Sequence, residues 1–167
     1  MKKIAATLFG VLLISTMALA QSPIGKGGKQ INFGIGLDGW GVPIYGGMDF
    51  GVHPDISLGF ELSYRSYGRK YRTHKYNSSI FGVAARGNYH FNTVLDIPQE
   101  WDLYAGLNLG YYHWSTDNDY PWDDDSGVGL GLQLGGRYYF SDKWGINLEF
   151  AGGNAVSGAK FGLSVKI

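Results

Sequence analysis

The chain contains no cysteine, which rules out both a disulfide framework and lipid attachment at an N-terminal cysteine. Beyond the first twenty residues it also lacks any run of roughly eighteen apolar side chains, so no later helix is apolar for long enough to span a bilayer. Net charge is absent as well. With 14 basic side chains against 14 acidic ones, the chain has no basic excess to hold a phosphate backbone, which argues against a nucleic-acid partner. Its 27 glycines do not follow the period of three that a collagen helix requires.

They follow a period of two. From Gly127 to Phe140 the chain alternates between bulky apolar residues (Val128, Leu130, Leu132, Leu134) and small or polar ones (Gly129, Gly131, Gln133, Gly135). Strict alternation of this length predicts a strand with two unlike faces. A soluble sandwich keeps its bulky face in the core and its polar face in water, and has no reason to build the second face from glycine. A narrow membrane barrel has one: its outward side chains meet lipid, and its polar lumen is only wide enough for small groups. With spanning helices excluded, a closed sheet is the remaining way to cross a membrane.

The N-terminus carries the matching address. Lys2 and Lys3 precede a largely apolar stretch from Ile4 to Met17, and Ala18-Leu19-Ala20 has the small-x-small form of a cleavage site. Residues 1–20 are therefore expected to be a removable signal peptide, residues 21–29 a short flexible leader, and residues 30–167 one barrel domain. What remains after cleavage has the size of a single domain.

Eight strands are expected in that domain: 30–38, 43–53, a third from 56 to about 65, a fourth from about 79 to 91, 101–114, 127–140, a seventh starting at 144, and an eighth ending at 167. The third is the cleanest, with Ile56, Leu58, Phe60, Leu62 and Tyr64 opposed to Ser57, Gly59, Glu61, Ser63 and Arg65. This predicts an all-β, eight-stranded antiparallel up-and-down transmembrane barrel. An even count puts both termini on the periplasmic side, with tight turns there and longer loops outside. The turns at 53–55 and 141–143 are short, 92–100 is a longer periplasmic turn, and 68–78 and 115–127 are long and polar. Tyr89, Phe91, Trp101, Tyr138, Phe140 and Trp144 form one expected aromatic girdle, with Tyr64 and Tyr111 at the other rim.

By parity, Glu61, Arg86, Arg137 and Glu149 face the lumen, with Glu61 roughly opposite Arg86 and Arg137 diagonal to Glu149. They are expected to form a network of ion pairs that plugs the interior, since unpaired buried charge is costly. A gated narrow channel is the alternative. His53 and His90 read as isolated. Outside, Arg69, Lys70, Arg72, His74 and Lys75 crowd one loop, and Asp117, Asp119, Asp123, Asp124 and Asp125 crowd another. The acidic spacing does not fit an EF-hand, and no metal or cofactor site is expected. Tyr120, Pro121 and Trp122 would suit a protein or glycan contact.

The stretch Gly136-Arg-Tyr-Tyr-Phe-Ser-Asp-Lys-Trp-Gly-Ile-Asn-Leu-Glu149, followed by an alternating terminal strand, resembles the small outer-membrane β-barrel superfamily, in particular the OmpA/OmpX-like eight-stranded barrels common in Bacteroidetes. The resemblance covers the whole mature chain. It implies an outer-membrane location and insertion by the outer-membrane assembly machinery. A monomer in contact with outer-membrane lipid is expected, and the basic loop would suit phosphates of lipopolysaccharide. The last residue, Ile167, departs from the phenylalanine usual in the family. Members include adhesins, structural proteins, narrow channels and a few lipid-modifying enzymes, so fold alone does not assign a role. His113-Trp114-Ser115 resembles the His-x-Ser element of lipid A deacylases, but no acidic partner beyond loop aspartates such as Asp117 or Asp125 is at hand. The expectation is a structural or surface-interacting protein and not an enzyme.

Overall fold

Alternating segments become ladders in the computed structural model, which describes residues 21–37, 41–71, 74–116, 126–154 and 157–167. The strands are β1 (Lys29–Leu37), β2 (Ile44–His53), β3 (Ile56–Tyr71), β4 (His74–His90), β5 (Trp101–Thr116), β6 (Gly127–Tyr139), β7 (Trp144–Gly153) and β8 (Gly158–Lys166). Each pairs antiparallel with the next, and β8 returns to β1, so the sheet is a closed up-and-down barrel. Closure leaves no free edge, which lets the ladder satisfy backbone polar groups where lipid offers no partner.

The barrel is apolar outside and polar inside. Leu132 is 67% exposed and Leu107 56%, whereas Arg137 is 2% exposed and Asp102 0%. Inward glycines make room for tyrosines on the neighbouring strand. Gly82 pairs with Tyr112, Gly135 with Tyr104 and Gly145 with Tyr139. A Cβ placed on Gly82 would lie 2.8 Å from the Tyr112 ring, and one on Gly145 2.9 Å from the Tyr139 ring. The small–large alternation suits a lumen that eight strands leave just wide enough for side chains. At the rim near the termini, the rings of Trp101 and Tyr138 meet at a tilt with centres 4.7 Å apart, and Tyr89 and Phe91 meet edge to face at 5.3 Å.

Three expectations about local structure change. The described part of the polar segment 68–78 is strand and not loop: β3 runs to Tyr71, and the register continues to the pair Tyr71 and His74. Crossing a membrane takes about ten residues per strand, and β3, β4 and β5 have 16, 17 and 16. The excess extends the β3–β4 hairpin beyond the apolar band, where polar residues continue the ladder and alternation is no longer required. Phe91 lies past the end of β4, and the 92–100 turn contains a helical turn, α1 (Asn92–Leu95). Asn92 is buried there and donates from Nδ2 to the Trp101 carbonyl at 2.6 Å.

The leader is also folded. Residues 21–28 turn back over the inward face of Gly51, with Ser22 and Ile24 buried. The amide of Gly27 donates to Gly51 O at 2.7 Å, and that of Gly51 donates to Gly28 O at 2.9 Å. Gly25 and Gly27 adopt φ of 55° and 86°, a left-handed conformation that glycine takes without strain. The segment can lie this close because Gly51 offers no side chain to keep it out. The expected signal peptide, residues 1–20, lies outside the described residues.

Candidate functional site

The lumen carries two polar layers. Strand parity builds both, since an inward charge on one strand meets the inward side chains of strands beside and across from it. In the layer nearer the middle, Arg86 on β4 donates to Glu61 on β3 and to Glu149 on β7. Lys160 on β8 pairs with Glu61 and lies 3.3 Å from Glu149 Oε1. The Tyr104 hydroxyl donates to Glu149 Oε2 at 2.8 Å. Four strands, β3, β4, β7 and β8, are thus tied by one cluster of two cations and two carboxylates.

The second layer lies towards the termini. Arg137 on β6 reaches Asp102 on β5 at 2.7 Å and Asp49 on β2 at 2.8 Å. Its guanidinium carbon stacks 4.1 Å over the centre of the Tyr104 ring. Asp49 accepts from Asn32 Nδ2 at 2.9 Å, Ser164 Oγ donates to Asn32 Oδ1 at 2.7 Å, and Asn147 Nδ2 donates to Ser164 Oγ at 3.0 Å. Tyr139 donates across the lumen to Gln30. Because β2 and β6 lie four strands apart in an eight-stranded ring, the Arg137–Asp49 pair spans the barrel's full width.

Of the four lumen charges named from parity, Glu61, Arg86 and Glu149 meet one another, and Arg137 goes elsewhere. Glu61 pairs in register with Ala84, so its contact with Arg86 is one step diagonal. Arg137 is diagonal to Glu149 in register, as Glu149 faces Gly135 and Arg137 faces Asn147. Its side chain nevertheless takes Asp49 and Asp102. Lys160, Asp49 and Asp102 complete the clusters, and all three share the inward parity of residues already placed there.

His90 is not isolated. Its Nδ1 lies 2.6 Å from Asp102 Oδ1, and its Nε2 lies 2.9 Å from Ser57 Oγ. This is the connectivity of a hydrolytic Ser–His–Asp triad, but such a triad also needs room for a substrate against the hydroxyl. Ser57 is 1% exposed, and its inward side is bounded by Gly51 and the folded leader. Asp102 is further committed to Arg137. The arrangement links β3, β4 and β5 and offers no approach to the hydroxyl.

Above the central cluster the lumen opens as a vestibule of about 600 Å³, counting the part continuous with solvent. Tyr45, Ser63, Arg65, Asn108, Tyr112 and Lys160 are among its walls, and Glu61 and Arg86 form its floor. At the outer rim His113 Nδ1 lies 3.1 Å from Ser126 Oγ, which makes Ser126 rather than Ser115 its hydrogen-bond partner among the described residues. The backbones of Arg69, Lys70, His74 and Lys75 belong to the extended hairpin. Arg72, Asp117, Asp119, Tyr120, Pro121, Trp122, Asp123, Asp124 and Asp125 lie outside the described residues.

Comparison with known proteins follows the same lines. A model of the family described as outer membrane protein beta-barrel domain matches residues 6–166. Among solved structures, the barrel is similar to the N-terminal β-barrel domain of Pseudomonas aeruginosa OprF, with 16% identity, 86% of this chain and 99% of that one covered, and a TM-score of 0.61. It is similar to Pseudomonas aeruginosa OprG at 10% identity over 89% and 99% of the two chains, with a TM-score of 0.67. Neisserial surface protein A matches at 14% identity over 84% and 95%, with a TM-score of 0.55. At these identities the likeness is one of fold. No curated protein matches the sequence.

Proposed function

The chain belongs to the outer membrane protein β-barrel domain family, and from that premise we propose that this outer-membrane barrel has a structural or surface-interacting role and a plugged lumen. The observation that carries the reading is the pair of cross-lumen clusters. Arg137 holds Asp49 and Asp102 from opposite walls, and Arg86 with Lys160 holds Glu61 and Glu149. Every one of these charges is paired, and all but Lys160 are buried, so that breaking a pair leaves an uncompensated buried charge. A solute would have to separate both clusters and displace the folded leader, so the interior serves as a brace.

A braced barrel leaves function to its outer surfaces. The apolar band contacts outer-membrane lipid. The hairpin of β3 and β4 projects past that band and carries the basic residues Arg69, Lys70 and Lys75 in its sequence, which suits phosphate groups of lipopolysaccharide or an anionic surface partner. A protein or glycan partner at the outer loops, insertion by the outer-membrane assembly machinery and a monomeric barrel complete the proposal. Closure of β8 on β1 leaves no edge that needs a second copy.

Planar-bilayer recording tests it. The purified barrel is expected to give no stepwise conductance, and joint replacement of Arg86 and Arg137 by alanine is expected to introduce leak. Discrete conductance steps from the unaltered protein would instead make it a narrow channel.

A further inference from the structure

Two guanidinium groups brace the lumen, and each keeps one donor in reserve. Arg86 gives its terminal nitrogens to Glu61 and Glu149, and Arg137 gives its own to Asp102 and Asp49. The Nε–H of each is buried and has no acceptor among the described residues. Glu149 has the complementary gap. Its Oε2 accepts from Arg86 and from Tyr104, whereas its Oε1 is buried and accepts no hydrogen bond, with only the ion-pair contact to Lys160 at 3.3 Å. Buried polar groups are almost always hydrogen-bonded, so two donors and an acceptor left over side by side call for a common partner.

The three side chains meet at one place. Arg86, Arg137 and Glu149 all border an interior space of about 190 Å³ between the two ion layers. Tyr104 stands beside it, with its ring 4.1 Å under the Arg137 guanidinium and its hydroxyl on Glu149. That volume includes the gaps between packed atoms, and the room left at its centre is that of about one water molecule. The occupant has to be neutral. An anion would face Glu149 Oε1, and a cation would face two N–H donors. Water suits both, because its oxygen accepts two hydrogen bonds while its hydrogens are donated to acceptors, and three such bonds are what a buried water usually makes. Tyr45, Arg86 and Lys160 border the vestibule as well, so the space lies next to a supply of solvent.

We propose that the lumen holds a water-binding site, in which one water accepts from the Nε–H of Arg86 and of Arg137, donates to Glu149 Oε1, and so joins the two ion layers into a single network. This goes beyond the structural role argued above, since the brace then has a solvent molecule as one of its parts. The two readings fail separately, because conductance reports passage through the lumen and not occupancy of this position.

A crystal structure of the barrel grown from a lipidic phase, at a resolution that shows ordered water, is the first test. One solvent peak is expected within about 2.7–3.2 Å of all three atoms, Arg86 Nε, Arg137 Nε and Glu149 Oε1. In solution, the labelled barrel in micelles is expected to show rotating-frame cross-peaks from water to the Hε protons of Arg86 and Arg137, with the sign of dipolar transfer and not that of proton exchange. Arg137→Lys keeps a cation beside Asp49 and Asp102 but has no Nε–H, so the cross-peak at Arg86 is expected to fall several-fold as the water loses one of its three partners. Should that variant not fold, the two measurements on the unaltered protein decide alone. An empty position, a peak that reaches only one of the three atoms, a chloride or sodium ion in its place, or a cross-peak at Arg86 that ignores Arg137→Lys would overturn the proposal.

Discussion

Arg137 is the side chain on which the interior leans most. It is 2% exposed, holds two aspartates from different walls and stacks on Tyr104. Replacement by methionine keeps much of its length but leaves Asp49 and Asp102 buried around no cation, so unfolding by urea in phospholipid vesicles should show a loss of about 3–5 kcal/mol. A change below about 1 kcal/mol would mean that the aspartates find other partners or water. Gly82 makes an independent prediction: Gly82→Val pushes a side chain into the Tyr112 ring and should cost about 1–3 kcal/mol by the same measurement. Inward orientation was legible from parity for Glu61, Arg86, Arg137 and Glu149. Partner choice was not, because Arg137 and Asp49 are 88 positions apart in sequence and meet only once the ring is closed. His90 and Asp102 could have been found: by a period of two each shares its face with a residue two positions away that lies in the lumen, Asn88 and Tyr104.

At the scale of the element, a two-residue period says which face is which but not where a strand ends. The eight alternating runs each became a strand, yet β3 and β4 continue well past their alternating parts because hydrogen bonding alone sustains a hairpin in water. Removing residues 69–76 and rejoining the ends with a two-residue turn should therefore leave the barrel folded, read as retained heat-modifiable migration on gels. Loss of folding would assign the projecting hairpin a part in assembly. On β6, substitution of Leu132 by arginine near mid-strand should cost about 2–4 kcal/mol, because that position faces lipid. The leader was misjudged for a related reason. Residues 21–29 read as a short flexible leader, whereas Gly25 and Gly27 take left-handed turns and seat the segment against Gly51. A bulky residue at Gly51 should unseat it, seen as faster amide exchange at Gly27 and Gly28.

For the whole molecule, the features that pointed to location were those of pattern: no run beyond the first twenty residues apolar enough to span as a helix, an even number of two-faced strands, and aromatic residues gathered at the rims. Those features depend on the bilayer, whose physics leaves only a closed sheet, and they lead to the outer-membrane family without reference to any single residue. Role is harder to read because it rests on loops and on a lumen whose contacts are made across the ring.

The absence of native cysteine allows a direct measurement of the claim beneath all of this, that lipid covers the bulky face and the polar face lines the interior. Single cysteines at positions 128 to 135 of β6, each carrying a nitroxide in phospholipid vesicles, can be assayed for collision with dissolved oxygen. The account predicts high oxygen accessibility at Val128, Leu130, Leu132 and Leu134 and low values at Gly129, Gly131, Gln133 and Gly135. Accessibility that peaks at the second set, or that shows no period of two, would contradict it.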